Sequence, residues 1–194
     1  MSKLMTKVLC VVAGLALVTI IACKPADNVQ SSYGEDRAEI ENLQARYMFA
    51  LDFGDLDTFV TTFTEDGILD IIGMKWQGRE KIKEGLGSMM PPVGEENPET
   101  QEASEVKEEK PLYRATGRHN ISNIVLKIDG DTAVGRAYWF HYSNNNPQRT
   151  AAFDGYGHYE DEMVKVKGQW LFTKRRIYNE GVEKWASKPG NPCW

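Results

Sequence analysis

The chain has 194 residues, 23 lysines and arginines against 28 aspartates and glutamates, a net charge of -5, 41% hydrophobic and 10% aromatic content, and three cysteines. That is enough chain for one domain with a real core, which excludes a wholly disordered or collagen-like molecule. An acidic balance with a pI near 5.3 also argues against a nucleic-acid partner.

Lys3 and Lys7 precede an uncharged apolar run from Val8 to Ala22. Its 15 residues are too few to span a bilayer comfortably, so residues 1–22 read as a signal peptide rather than a permanent anchor. The run closes on Ile20-Ile21-Ala22-Cys23, an aliphatic pair, a small residue and a cysteine, which resembles the lipobox of bacterial lipoproteins. An ordinary secretion signal or a membrane anchor is the alternative. The resemblance implies lipidation of Cys23 and contact with the membrane through that lipid. Lys24 implies, by the usual sorting rule of such lipoproteins, the outer membrane facing the periplasm. Cys10 then leaves with the signal and the Cys23 thiol is consumed. Cys193 remains, either inert or an intermolecular partner, and no internal disulfide is expected.

Residues 23–35, polar after the cysteine, form a lipid-anchored tether. A helix is expected from Asp36, because Asp36 and Glu39 have capping-box spacing and Ile40, Leu43, Tyr47 and Leu51 recur at helical intervals up to Gly54. Asp55 caps a short second helix with Leu56, Phe59 and Phe63 inward, and Glu65-Asp66-Gly67 turns the chain into a strand over Ile68 to Ile72. A third helix is expected over Arg79 to Met89. Residues 91–110 hold seven glutamates, three prolines and no aromatic, too little apolar surface to fold alone. They read as an acidic mobile insertion, a solvated loop or a lid. From Arg118 the pattern is strands: RHNISNIVLKI, an Asp129-Gly130 turn, TAVGRAYWFHY, TAAFDGYGHYEDEMVKV, Lys167-Gly168 and QWLFTKRRIY. Residues 181–194 form a tail. Helices first and an antiparallel meander afterwards give an α+β fold in which a curved sheet wraps around the N-terminal helices.

The segments RYMFALDFGDLDTFVTTFTEDG, GREKI, RHNISN, IDGDTA, GHYEDEMVK and GQWLFTKRR resemble, in this order, the SnoaL-like branch of the nuclear transport factor 2-like superfamily, over about residues 36–180. The resemblance implies a cone-shaped α+β roll with a pocket at its open end, often in a homodimer. The scaffold hosts dehydratases, isomerases, cyclases and plain binding proteins, so the reaction does not follow from the fold. Scytalone dehydratases and hexachlorocyclohexane dehydrochlorinases look like the nearest chemical relatives. By motif, their Asp-His dyad corresponds to Asp52 in FALDFGD and His119 in RHNISN, and the pocket arginine of the dehydrochlorinases to Arg175. Tyr47 stands where those dehydrochlorinases have a lysine, and His141 lies two residues from the register of the dehydratases' second histidine.

The residues themselves permit that chemistry. Asp52 ends a helix, where the macrodipole disfavours a carboxylate, and an imidazole could offset the cost while becoming a better base. A turn role before Gly54 is the alternative, as a structural role is for His119. Period-2 alternation puts His119, Ile121, Asn123 and Val125 on one face, neither face being clearly apolar. It also puts Trp139 with His141, Tyr159 with Gly157, and Arg175 with Leu171 and Ile177, while His158 faces away from Tyr159 and is expected at the surface. Under the resemblance, Tyr47, Asn123, Trp139, His141 and Tyr159 line the substrate pocket. Arg175 binds an anion or a developing oxyanion, or forms a salt bridge to Asp161 or Glu162. No close histidine spacing, glycine-rich phosphate loop or nucleophile elbow is present, so neither metal nor cofactor is expected. The expected activity is acid-base catalysis of elimination or isomerisation on a small hydrophobic or aromatic-like molecule, with non-catalytic binding of such a ligand, or of a protein partner, as the rival.

Overall fold

Ser32 starts the first helix. Its hydroxyl accepts the Glu35 amide at 3.3 Å, and the Glu35 carboxylate accepts the Ser32 amide at 2.7 Å. This reciprocal cap sets α1 at Tyr33–Asp52, so Tyr33–Glu35, expected in the tether, form its first turn. Asp36 is not the cap. It is buried, accepts the Trp170 indole N–H at 2.9 Å and pairs with Lys165. The computed structural model describes residues 32–90, 117–185 and 187–194, all within one compact unit, Ser31–Trp194. The signal, Cys23, most of the tether and the acidic insertion 91–110 lie outside the described residues.

The inward face of α1 carries Ile40, Leu43, Gln44, Tyr47 and Met48, all buried. Gly54 takes a positive φ of 68°, which reverses the chain cheaply. Asp55 then caps α2 (Leu56–Thr61) by accepting the Thr58 amide at 2.9 Å. The sheet follows as β1 (Phe63–Ile71), β2 (Met74–Gln77), β3 (Gly117–Asp129), β4 (Thr132–Ser143), β5 (Ala152–Val166) and β6 (Gln169–Asn179), with α3 (Arg79–Met89) after β2. Strand order is β2-β1-β6-β5-β4-β3. β1 runs parallel to β6 and every other pairing is antiparallel. The result is a mixed α+β fold with an open, curved six-stranded sheet.

Two expectations change around β1. Glu65-Asp66-Gly67 is an irregularity inside the strand, between the paired residues Phe63 and Ile68, rather than a turn before it. The short strand β2 follows a tight turn with Ile72 and Gly73 at φ 52° and 86°, a conformation suited to a two-residue hairpin. Phe59, Phe63, Phe172 and Tyr47 pack with ring centroids 4.6 to 6.2 Å apart, and all four are buried. Truncating one such phenylalanine to alanine costs about 3–5 kcal/mol.

Three bulges decide which side chains enter the concave side. In β3 the register slips between Ser122 and Val125, with Asn123 at a positive φ of 52°. His119 and Ile121 therefore oppose His141 and Trp139 on the inner face, whereas beyond the bulge Leu126 is the buried residue and Val125 is 42% exposed. Asn123, a pocket residue under the resemblance, is exposed at the bulge. In β5 the pairs His141 with Gly155 and Tyr142 with Phe153 leave Asp154 without a cross-strand partner. In β6 the pairs Phe172 with Met163 and Lys174 with Glu162 bypass Thr173. Arg175 consequently shares its face with Phe172 and Trp170 instead of Leu171. His158 does face away from Tyr159, but it is not at the surface. It is 8% exposed, stacked on Tyr178 at 4.3 Å and bonded through Nδ1 to Glu180 at 2.6 Å. Among the described residues no helix is long and apolar enough to cross a membrane.

Candidate acid-base site

The last turn of α1 delivers Asp52 to the first residues of β3. Its carboxylate accepts the His119 backbone amide at 3.0 and 3.3 Å, and its Oδ1 lies 2.6 Å from His119 Nδ1. An ionised carboxylate only accepts, so a neutral imidazole paired with one at this nitrogen carries its proton on Nδ1 and its lone pair on Nε2. The Asp52 side chain is 7% exposed and that of His119 27%. One carboxylate thus fixes both the backbone and the ring of His119, the arrangement that turns an imidazole into an oriented base.

Across the strand pair, the His141 ring stands 4.3 Å from that of His119, centroid to centroid, and its Nδ1 lies 2.5 Å from Asp154 Oδ1. Beneath them Trp139 is 6.2 Å from His119 and 6.2 Å from Tyr159. The Trp139 indole N–H is anchored on the Tyr178 carbonyl at 2.9 Å. Tyr159 and Tyr47 continue the buried wall, with centroids 6.5 Å apart. The dyad thus has an apolar aromatic floor.

Arg175 does not join the dyad. It is fully buried, and its Nε and Nη2 donate to the two oxygens of the equally buried Asp161 at 2.8 and 2.7 Å. The rings of Tyr47, Tyr159 and Phe172 lie 4.0 to 4.2 Å from the guanidinium carbon. Of the two roles expected for this residue, the structure shows the salt bridge to Asp161. Burial works against the Arg175 charge, but the Asp161 carboxylate more than offsets it and raises the guanidinium's pKa. Burial pushes the Tyr47 hydroxyl up to about 12, against the pull of Arg175, and raises Tyr159 well above the ordinary phenol value. Both phenols therefore stay neutral through the physiological range.

Of the predicted residues, the structure brings together Asp52, His119, Trp139, His141, Tyr159 and Tyr47, and leaves Asn123 outside. Asp154 escapes sequence reading because only the β5 bulge aims it at His141. Gln44 escapes too, since a glutamine at an apolar helical position carries no signal of burial. It is fully buried, with neither amide atom hydrogen-bonded. No group of three or more potential metal ligands occurs among the described residues. Two concavities lie elsewhere. One, of about 120 Å³, is lined by Arg136, Glu160 and Lys174, and the other, of about 260 Å³, by Arg46, Phe49 and Phe53.

Residues 32–176 match the SnoaL-like domain family. Among solved structures, a protein of unknown function from Mycobacterium tuberculosis is 24% identical, with a TM-score of 0.60 over 78% of each chain. A scytalone dehydratase-like protein from Novosphingobium aromaticivorans is 21% identical, with a TM-score of 0.57 over 82% of this chain and 94% of that one. A protein from Catenulispora acidiphila in complex with S-DNPA is 20% identical, with a TM-score of 0.57 over 76% of this chain and 96% of that one. These likenesses show the fold. No curated protein matches.

Proposed function

Because the chain belongs to the SnoaL-like domain family, we propose that it is a cofactor-independent acid-base enzyme for elimination or isomerisation of a small, largely apolar substrate. The observation that carries this reading is the Asp52 carboxylate bound to both the amide and the Nδ1 of His119. His119 Nε2 takes a proton from a carbon next to a carbonyl, the C–H electrons pass into an enolate, and Asp52 balances the new imidazolium. The walls of Trp139 and Tyr159 suit an apolar or aromatic substrate body. Arg175, already paired with Asp161, positions those rings.

A base-only probe tests the dyad. 5-Nitrobenzisoxazole opens when one C–H proton is removed, its N–O bond breaking to give a nitrile and a phenolate. Wild type should accelerate the opening, His119→Ala should lose about 100-fold or more of that rate, and Asp52→Asn about 10-fold or more. Equal rates in all three proteins would end this reading. The same aromatic wall also suits retention of an apolar molecule without conversion, and on that second reading wild type shows no acceleration.

In the same proposal the chain is an exported lipoprotein anchored through Cys23, supported by the apolar run that ends on Ile20-Ile21-Ala22-Cys23. Intact-mass measurement of the membrane-extracted protein should show a mature chain beginning at a lipid-modified Cys23. An unmodified chain still carrying residues 1–22 would contradict it.

A further inference from the structure

The outer side of α1 ends in an exposed aromatic pair. Phe49 and Phe53 stack with ring centroids 6.3 Å apart, yet they remain 67% and 59% exposed. With the exposed Arg46 they line the concavity of about 260 Å³, and the Arg118 guanidinium carbon sits 4.8 Å over the Phe53 ring. The acids close by are already engaged. Asp55 accepts the Thr58 amide as the cap of α2, and Asp57 pairs with Lys83. Among the described residues no carboxylate pairs with Arg46 or Arg118, so in a chain of net charge -5 this patch carries positive charge. Exposed rings flanked by arginines suit the surface of an anionic bilayer. The rings enter the boundary between headgroups and acyl chains, and the guanidinium groups stay with the phosphates.

Resting on the lipid-anchored reading above, we infer that the patch of Phe49, Phe53, Arg46 and Arg118 docks the folded domain on an anionic phospholipid bilayer. The length of chain before the domain fits this occupant. Cys23 precedes Ser32 by nine residues, a reach of roughly 30 Å when fully extended. The helix α1 has 20 residues and is therefore about 30 Å long. An anchor of that reach lets the far end of α1 touch the membrane and holds it nearby. With a lipid on Cys23 the contact is intramolecular, so two rings and two arginines suffice where a free domain would dissociate.

Charge separates the bilayer from a second copy of the chain. In a symmetric pair the patch meets itself, arginine against arginine, whereas lipid phosphates complement both cations. Phe53 follows Asp52 and Arg118 precedes His119 in the chain, so the docked patch adjoins the acid-base pair. An apolar substrate concentrates in the same bilayer.

Photo-crosslinking of the full, membrane-extracted chain tests the contact. The chain is reconstituted in vesicles of phosphatidylcholine and phosphatidylglycerol that carry a phospholipid with a diazirine at its headgroup, and the adducts are mapped by peptide mass spectrometry. Wild type should collect adducts within residues 42–58 and not on the convex side of β4 and β5. Phe49→Ser combined with Phe53→Ser should lower them at least about 5-fold, with an unchanged melting temperature because both side chains are exposed. Arg46→Gln combined with Arg118→Gln should lower them about 3-fold, as should vesicles of phosphatidylcholine alone. Adducts confined to the N-terminal peptide, adducts centred on the convex side, or equal yields in wild type and the phenylalanine variant would each overturn the inference. So would a smaller species in sedimentation of that variant, which would make the patch an interface between copies. The mass of the peptide beginning at Cys23, read in the same digest, reports separately on the anchor.

Discussion

Asp52 ends α1, where the helix dipole opposes a carboxylate by about 0.3–1 kcal/mol. The His119 amide and Nδ1 offset that cost, because hydrogen bonds to a charged acceptor contribute about 1.5–3 kcal/mol each. Asp161 and Arg175 solve a harder problem, two charges with no exposed surface at all. Removing one partner strands the other, so Arg175→Ala should lose about 3–5 kcal/mol in urea unfolding. Arg175→Met combined with Asp161→Leu should lose far less. Equal losses would show that packing, and not the stranded carboxylate, carries the effect. Asp154 brings a pH dependence of known sign. Its folded pKa is depressed, so its contribution is complete above the unfolded value of about 4 and fades as pH falls through the lower folded value. Comparing urea midpoints at about pH 6 and pH 3, wild type should lose more stability on acidification than Asp154→Asn, by a modest amount because the carboxylate is 45% exposed.

At the scale of elements, the bulges do most of the positioning. Asn123 holds φ at 52°, a conformation glycine adopts without strain and β-branched residues resist. Asn123→Gly should therefore leave the melting temperature within a few degrees of wild type, and Asn123→Val should lower stability by about 1–3 kcal/mol. The same bulges set the limit of what could be read from the chain beforehand. Capping and periodicity locate α2 and α3, because Asp55, Leu56 and the Arg79 to Met89 run are local signals. The motif resemblance, and not the alternation, pairs His119 with Asp52, and His119 precedes the slip in β3. Alternation fails at Asn123, which sits in the slip, at Val125 beyond it, and at Leu171, which the slip at Thr173 separates from Arg175. The ambiguous face of RHNISNIVLKI is two half-faces joined at a bulge. Asp154 was invisible for the same reason, and β2 because four residues around Trp76 carry no periodicity.

Over the whole molecule, α1 packs against β3 and β6 of the curved sheet and brings Asp52 beside the start of β3. That end of the sheet thus holds the titratable residues Asp52, His119, His141 and Asp154, and Tyr159, Tyr47 and Met163 are buried in the core. The convex side bears exposed Tyr138, Phe153 and Tyr156, and we propose that the homodimer implied by the family resemblance forms through this face. Sedimentation equilibrium should give a dimer that Tyr156→Glu weakens, and a monomer at every concentration would remove that part of the proposal. The catalytic reading rests on which ring nitrogen of His119 bears the proton. Nitrogen-15 NMR of the neutral imidazole, in wild type and in Asp52→Asn, measures it directly. A proton on Nδ1 and a bare Nε2 in wild type, with that preference lost in Asp52→Asn, is the expected result. A wild-type ring protonated on Nε2, or one tautomer shared unchanged by both proteins, would contradict the dyad.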